Sequence, residues 1–143
     1  MLKRITAALA LTAVATLAQA QDGHVFKLDQ VAWQPAGLKG AEMAVLWGDE
    51  AKGNAVWAFR LQPGVAIPPH LHTKDYWGFA IQGQWAHIDG HGHTVVTGQD
   101  AFVRIRANEL HADRCVGPQA CINIIQFDGS RDIVFPEAPK KAP

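Results

Sequence analysis

His70 and His72 stand two residues apart, directly after Pro68-Pro69, in the stretch Gly64 to Gly83 that reads GVAIPPHLHTKDYWGFAIQG. In an extended strand, residues i and i+2 project from the same face, so the two imidazoles enter one space side by side. Imidazole nitrogen is a standard ligand for divalent transition metals, and a strand offers two of them in this way. A third histidine, His111, follows a second short apolar run, AFVRI, and a neighbouring strand can bring it to the same point. Three protein ligands leave coordination positions open for a substrate or O2. The plainer reading of a bare His-x-His is a surface pair with no partner, and the surroundings decide between the two.

The surroundings are a frame of glycines. Five residues separate Gly64 from His70, six separate Tyr76 from Gly83, and Gly98-Gln99-Asp100 opens the run that ends at His111. This pattern resembles the two motifs of the cupin superfamily, the first of the form G-x5-H-x-H-x3-E-x6-G and the second running from a Gly-Asp-like turn to a histidine. The resemblance extends from about Val31 to Phe135, and the chain is also similar to a small bacterial group of exported single-domain cupins without a settled activity. Three positions depart from the pattern: Tyr76 stands in place of glutamate, Arg104 in place of proline, and His111 comes two residues late. The resemblance implies an all-β double-stranded β-helix, the cupin jelly-roll barrel. It also implies one divalent transition metal held by His70, His72 and His111, and a small-molecule ligand or substrate. Histidine nitrogen suits iron, zinc, nickel, manganese and copper alike. Some cupin dioxygenases carry a similar three-histidine site, so metal-dependent dioxygenation is the sharpest function implied. A non-enzymatic binding or sensing module is the alternative, because a fold does not fix an activity.

Tyr76 is the departure with chemical consequences. Three neutral histidines leave the ion its full double positive charge, and a neutral phenol, with an ordinary pKa of about 10, does not reduce it. Tyr76 can be a hydrogen-bond donor to a metal-bound group, a phenolate ligand or a filler. The donor role, which makes it the candidate catalytic residue, is the one favoured here. If Tyr76 faces inward, strand alternation turns Gly78, Ala80 and Gln82 inward with it. Trp77, Phe79 and Ile81 then face the other way, as does Asp75, the nearest carboxylate. Small residues beside the metal either make room for a ligand or merely relieve crowding in a barrel. Trp77 and Phe79 would need cover, for which the N-terminal strands are available.

The elements that must position these residues read as strands. Val25 to Gln34, Ala41 to Trp47, Ala55 to Gln62, Asp75 to Gln82, Trp85 to Ile88, His93 to Val96, Ala101 to Ile105 and Cys121 to Phe127 are short runs rich in β-branched and aromatic residues, separated by turn-like segments. Such spacing without a long helical stretch predicts a sandwich or barrel. His87, His91 and His93 fall around Asp89-Gly90 and Gly92, which marks a hairpin turn, and are expected to be solvated.

The ends of the chain bear on compartment. Lys3 and Arg4 precede an apolar run from Ile5 to Leu17 and then Ala18-Gln19-Ala20, which reads as a signal peptide over 1–20. The run is shorter than the roughly 20 residues a spanning helix needs. A single domain over 21–143 is expected, with a frayed Pro-rich tail from about 136, in a periplasmic or secreted protein with no membrane attachment after cleavage. Without Lys3 and Arg4 the chain carries 11 basic and 13 acidic residues, a formal charge of −2. Nucleic acid is therefore not an expected partner, since no basic patch interleaved with aromatics is present. A homodimer is an admissible assembly. Cys115 and Cys121 flank Val-Gly-Pro-Gln-Ala, and in an oxidising compartment they are expected to pair across the neck of a hairpin.

Overall fold

The computed structural model describes residue 25 and residues 27–136, so the leader expected over 1–20 and the tail expected beyond 136 lie outside the described residues. Ten strands follow one another: β1 (Gln34–Pro35), β2 (Ala41–Trp47), β3 (Val56–Leu61), β4 (Ala66–His70), β5 (Tyr76–Gln82), β6 (Trp85–Asp89), β7 (Thr94–Thr97), β8 (Phe102–Ile105), β9 (His111–Cys115) and β10 (Cys121–Phe127). They form two antiparallel sheets, one in the order β1-β2-β3-β10-β5-β8 and the other in the order β4-β9-β6-β7. Two short 3-10 turns, Leu28–Gln30 and Glu50–Lys52, complete the regular structure. The chain is a jelly-roll barrel, as the motif spacing implied.

Most strands lie where the alternation of apolar residues put them, but of the described residues between 25 and 34 only Gln34 is in a strand. The Gln30 side chain accepts the Lys27 N–H at 2.8 Å, and the Gln30 N–H closes on the Lys27 carbonyl at 2.9 Å. Backbone groups used in this local turn are withdrawn from a ladder. Only Gln34 and Pro35 pair, with Met43 and Glu42.

On β5 the period of two is visible in burial: Tyr76, Gly78 and Ala80 are buried, whereas Trp77 and Phe79 are exposed. Gly78 owes its identity to crowding. A Cβ there would lie 2.0 Å from the Ile124 carbonyl oxygen of β10, so only glycine lets the two strands approach this closely. Among the described residues, no N-terminal strand covers Trp77 and Phe79. They pack beside Phe102 on an open face, with the Phe79 and Phe102 rings 5.2 Å apart.

The interior has two apolar clusters. Ala41, Leu61, Ile67, Ala80 and Trp85 gather at one end, and Trp57, Tyr76, Ile105 and Phe127 at the other. Each large side chain so buried contributes about 1.5–3 kcal/mol. Cys115 and Cys121 are disulfide-bonded, with a Cα–Cα distance of 5.6 Å. The pairing is as expected, but its setting is not a hairpin, because β9 and β10 belong to different sheets. The bond therefore staples the two sheets together at the first cluster.

Candidate metal centre

His70 ends β4 and His111 begins β9, and the two are cross-strand partners. The β4 ladder is irregular between Ile67 and His70, where Pro68 and Pro69 have no N–H to donate. The freed Pro68 carbonyl instead accepts the His70 Nδ1–H at 2.9 Å. His72 lies two residues beyond the strand and is held by the segment after β10. Leu71 and Val134 exchange backbone hydrogen bonds of 2.9 and 2.8 Å there, and the His72 Nδ1–H donates to the Asp132 carbonyl. The Asp132 carboxylate is in turn fixed by the backbone N–H and hydroxyl of Thr73 at 3.0 and 2.6 Å. All three histidines are buried, and each brings one ring nitrogen within 4.8 Å of the others.

The hydrogen bonds decide which nitrogen that is. The His111 Nδ1–H donates to the Glu109 carbonyl at 2.9 Å, as its two counterparts donate to Pro68 and Asp132. A carbonyl only accepts, so in each ring the proton sits on Nδ1 and the Nε2 lone pair is free. Burial lowers the pKa of His70 to about 4, and it lowers that of His72 as well. At neutral pH those two rings are thus uncharged bases. Three converging lone pairs in a closed space call for a cation, and a set fixed by its outer hydrogen bonds is the arrangement in which histidines hold one. The donor set fits one divalent transition metal ion.

Tyr76 comes to the same place. Its hydroxyl is 3.5 Å from His111 Nε2, and burial drives the phenol pKa well above its usual value, so the group is a neutral donor rather than a phenolate. Asp75 is placed elsewhere, as strand alternation required: its carboxylate accepts the Ala107 N–H at 2.7 Å.

Two further groups were not anticipated. Asp113 lies two residues after His111 on β9, and its Oδ2 is 3.8 Å from His111 Nε2. Its Oδ1 accepts the Nδ1–H of His87 at 3.0 Å. His87 lies on β6, within the strand expected over Trp85 to Ile88, but it is not solvated as expected: its side chain is 27% exposed and its ring centre lies 5.3 Å from that of His111. The bond to Asp113 raises the His87 pKa. His91 and His93 do occupy the exposed turn, where both backbone N–H groups donate to Asp89. The signal for Asp113 was present in HADRC, a His-x-Asp with the same period of two that exposed His70 and His72. His87 shares a face with Trp85 by the same period, but the nearby glycines suggested a turn.

His70 and His72 open on a cavity of about 640 Å³ that is also lined by Trp57, Phe59, Ala80, Ile125 and Trp85. This volume suits a small organic molecule. Ala80 lines it, so the inward small residues of β5 divide between the two readings: Gly78 relieves crowding, and Ala80 borders open space. Arg131 reaches the wall, with its guanidinium stacked on Trp57 at 4.9 Å and paired with Glu50 at 3.5 Å. Arg60 is engaged by Glu42 at 2.7 Å, and Arg106 is exposed.

Comparison with known proteins agrees with this architecture. A family model described as the ChrR cupin-like domain matches residues 21–127. Among solved structures, the polyketide cyclase RemF from Streptomyces resistomycificus superposes with a TM-score of 0.66 at 17% identity, over 82% of this chain and 87% of that one. KdgF from Halomonas sp. gives 0.63 at 17% identity, over 76% of this chain and 97% of its own. A chain from the complex of Rhodobacter sphaeroides SigE with the anti-sigma ChrR gives 0.58 at 20% identity, over 71% of this chain and 51% of its own. At these identities the likeness is one of fold. No curated protein matches the sequence.

Proposed function

The chain belongs to the cupin superfamily, within its ChrR cupin-like family, and from that premise we propose that it is a metal-dependent enzyme acting on a small organic molecule, with dioxygenation as the sharpest form of the reading. The observation that carries it is that the three-histidine cluster adjoins a cavity of about 640 Å³, lined by His70, His72 and Tyr76. His70, His72 and His111 would hold the ion, which when bound supplies Lewis acidity and a point of attachment for an oxygen-donor substrate. Tyr76, as a neutral donor beside His111, orients an anionic substrate oxygen. The apolar lining displaces water from the bound molecule.

The signal-like segment over 1–20 supports export, and we place the protein in the periplasm or outside the cell. A second reading is a non-enzymatic binding or sensing module. It draws on the description of the matching family and on the structural neighbour from the complex with anti-sigma ChrR.

Metal analysis of untagged protein, followed by an oxygen-uptake screen with small diketones, thiols and catechols, separates the two. Iron with substrate-dependent uptake supports the enzyme, and zinc without turnover supports the binding module. The double variant His70→Ala, His72→Ala should lose metal while keeping its fold. Full occupancy in that variant would refute the assignment of the centre.

A further inference from the structure

The proposed metal centre lacks the carboxylate that the glutamate position would supply, and Tyr76 does not replace its charge. Asp113 lies on the same inward face of β9 as His111, within the cavity wall. Its Oδ2 lies 3.8 Å from His111 Nε2, the nitrogen of that ring not engaged by the Glu109 carbonyl. A carboxylate oxygen so placed offsets the positive charge of an ion held by the histidines. Asp113 is not among the residues whose ligand atoms all lie within 4.8 Å of one another, so its carboxylate stands beside the three-histidine set as an outer partner.

His87 makes the placement specific. Its Nδ1–H holds Oδ1 at 3.0 Å, which leaves Oδ2 as the oxygen turned toward the histidines. His87 and Asp113 are register partners between β6 and β9, so the orientation is built into the sheet. A purely structural pair would hold the strands together equally well, but it would not need its second oxygen aimed at His111.

We propose that Asp113 is the charge-compensating carboxylate of the metal centre and that His87 is the residue that positions it. This inference rests on the metal-centre reading and deepens it. The carboxylate offsets the ion's charge from beside the three histidines, and it enters from β9 rather than from β5.

The test measures metal affinity and needs no substrate. Zn2+ dissociation constants would be obtained by competition with a chromophoric chelator for wild type, Asp113→Asn, Asp113→Glu and His87→Gln, and visible spectra recorded with Co2+. Asp113→Asn should weaken Zn2+ binding about 10–100-fold, the usual loss when an outer partner of a metal site is removed. It should also shift the Co2+ bands, and Asp113→Glu should recover part of the affinity. His87→Gln should weaken binding less, and it should have no further effect once Asp113→Asn is present. Unchanged affinity and spectrum in Asp113→Asn, with only the thermal midpoint lowered, would show a structural pair and overturn this inference alone. Failure of wild type to bind either ion would overturn the metal centre and this inference with it.

Discussion

Metal-free protein should lose stability in acid through His70, by an amount the structure sets. The ring is 2% exposed, and burial lowers its pKa from 6.5 to about 4. In the unfolded chain the ring binds a proton as pH falls through 6.5, whereas in the folded chain it stays neutral until about 4. Its neutral burial is therefore without penalty above 6.5, and stability is lost progressively between 6.5 and 4. At about 1.4 kcal/mol for each pH step of one, the full window is worth about 3 kcal/mol. His72, also lowered, acts in the same direction. His87 acts oppositely: its pKa is raised, so its contribution is present below its unfolded value and is lost as pH rises through its folded one. The assay is urea unfolding of chelator-treated protein at pH 7.5, 6.5, 5.5 and 4.5, in parallel with His70→Gln. Wild type should lose stability faster than the variant across the window, by an amount approaching about 3 kcal/mol at its acid end. Parallel curves for the two proteins would refute the argument, because a ring that titrates normally when folded contributes no slope.

Two further outcomes concern Tyr76 and the disulfide. Tyr76→Phe should leave metal occupancy near wild type, as the three histidines are untouched, and should weaken substrate binding or turnover by about 0.5–1.5 kcal/mol. Loss of metal in that variant would instead make Tyr76 a ligand. Thiol titration of unfolded, unreduced protein should find neither Cys115 nor Cys121 free, and replacing both by alanine should cost about 2 kcal/mol for a loop this short. An unchanged urea midpoint in the double alanine variant would show that the staple between the sheets adds nothing.

The fold was legible because alternation is a local property. Tyr76 to Gln82 could be assigned inward and outward positions by alternation from Tyr76, and the burial of β5 follows them as far as Ala80, with Ile81 and Gln82 both half-buried. The pairing of Cys115 with Cys121 was legible from spacing, but its role was not: that the bond joins two sheets depends on β10 leaving β9 for the sheet of β3 and β5. Val25 to Gln34 misled for the opposite reason. Its residues suit a strand, but a side-chain hydrogen bond from Gln30 diverts the backbone into a turn.

The centre was half legible, and the division follows the physics of the contacts. His70 and His72 share a face by their spacing, whereas His111 could be joined to them only through the glycine frame. What makes the three into a receptor is the set of acceptors behind them. The Pro68, Glu109 and Asp132 carbonyls fix each proton on Nδ1, and the last of these arrives from 60 residues away in the chain. No spacing rule reports a backbone carbonyl, since every residue has one. Asp113 and His87 lie between these extremes. Each carries its own period-of-two signal, but only the β6–β9 register turns two separate signals into a pair, with one carboxylate oxygen held and the other directed at His111. A missing glutamate in one motif is thus a reason to look for a carboxylate across the sheet rather than along the strand.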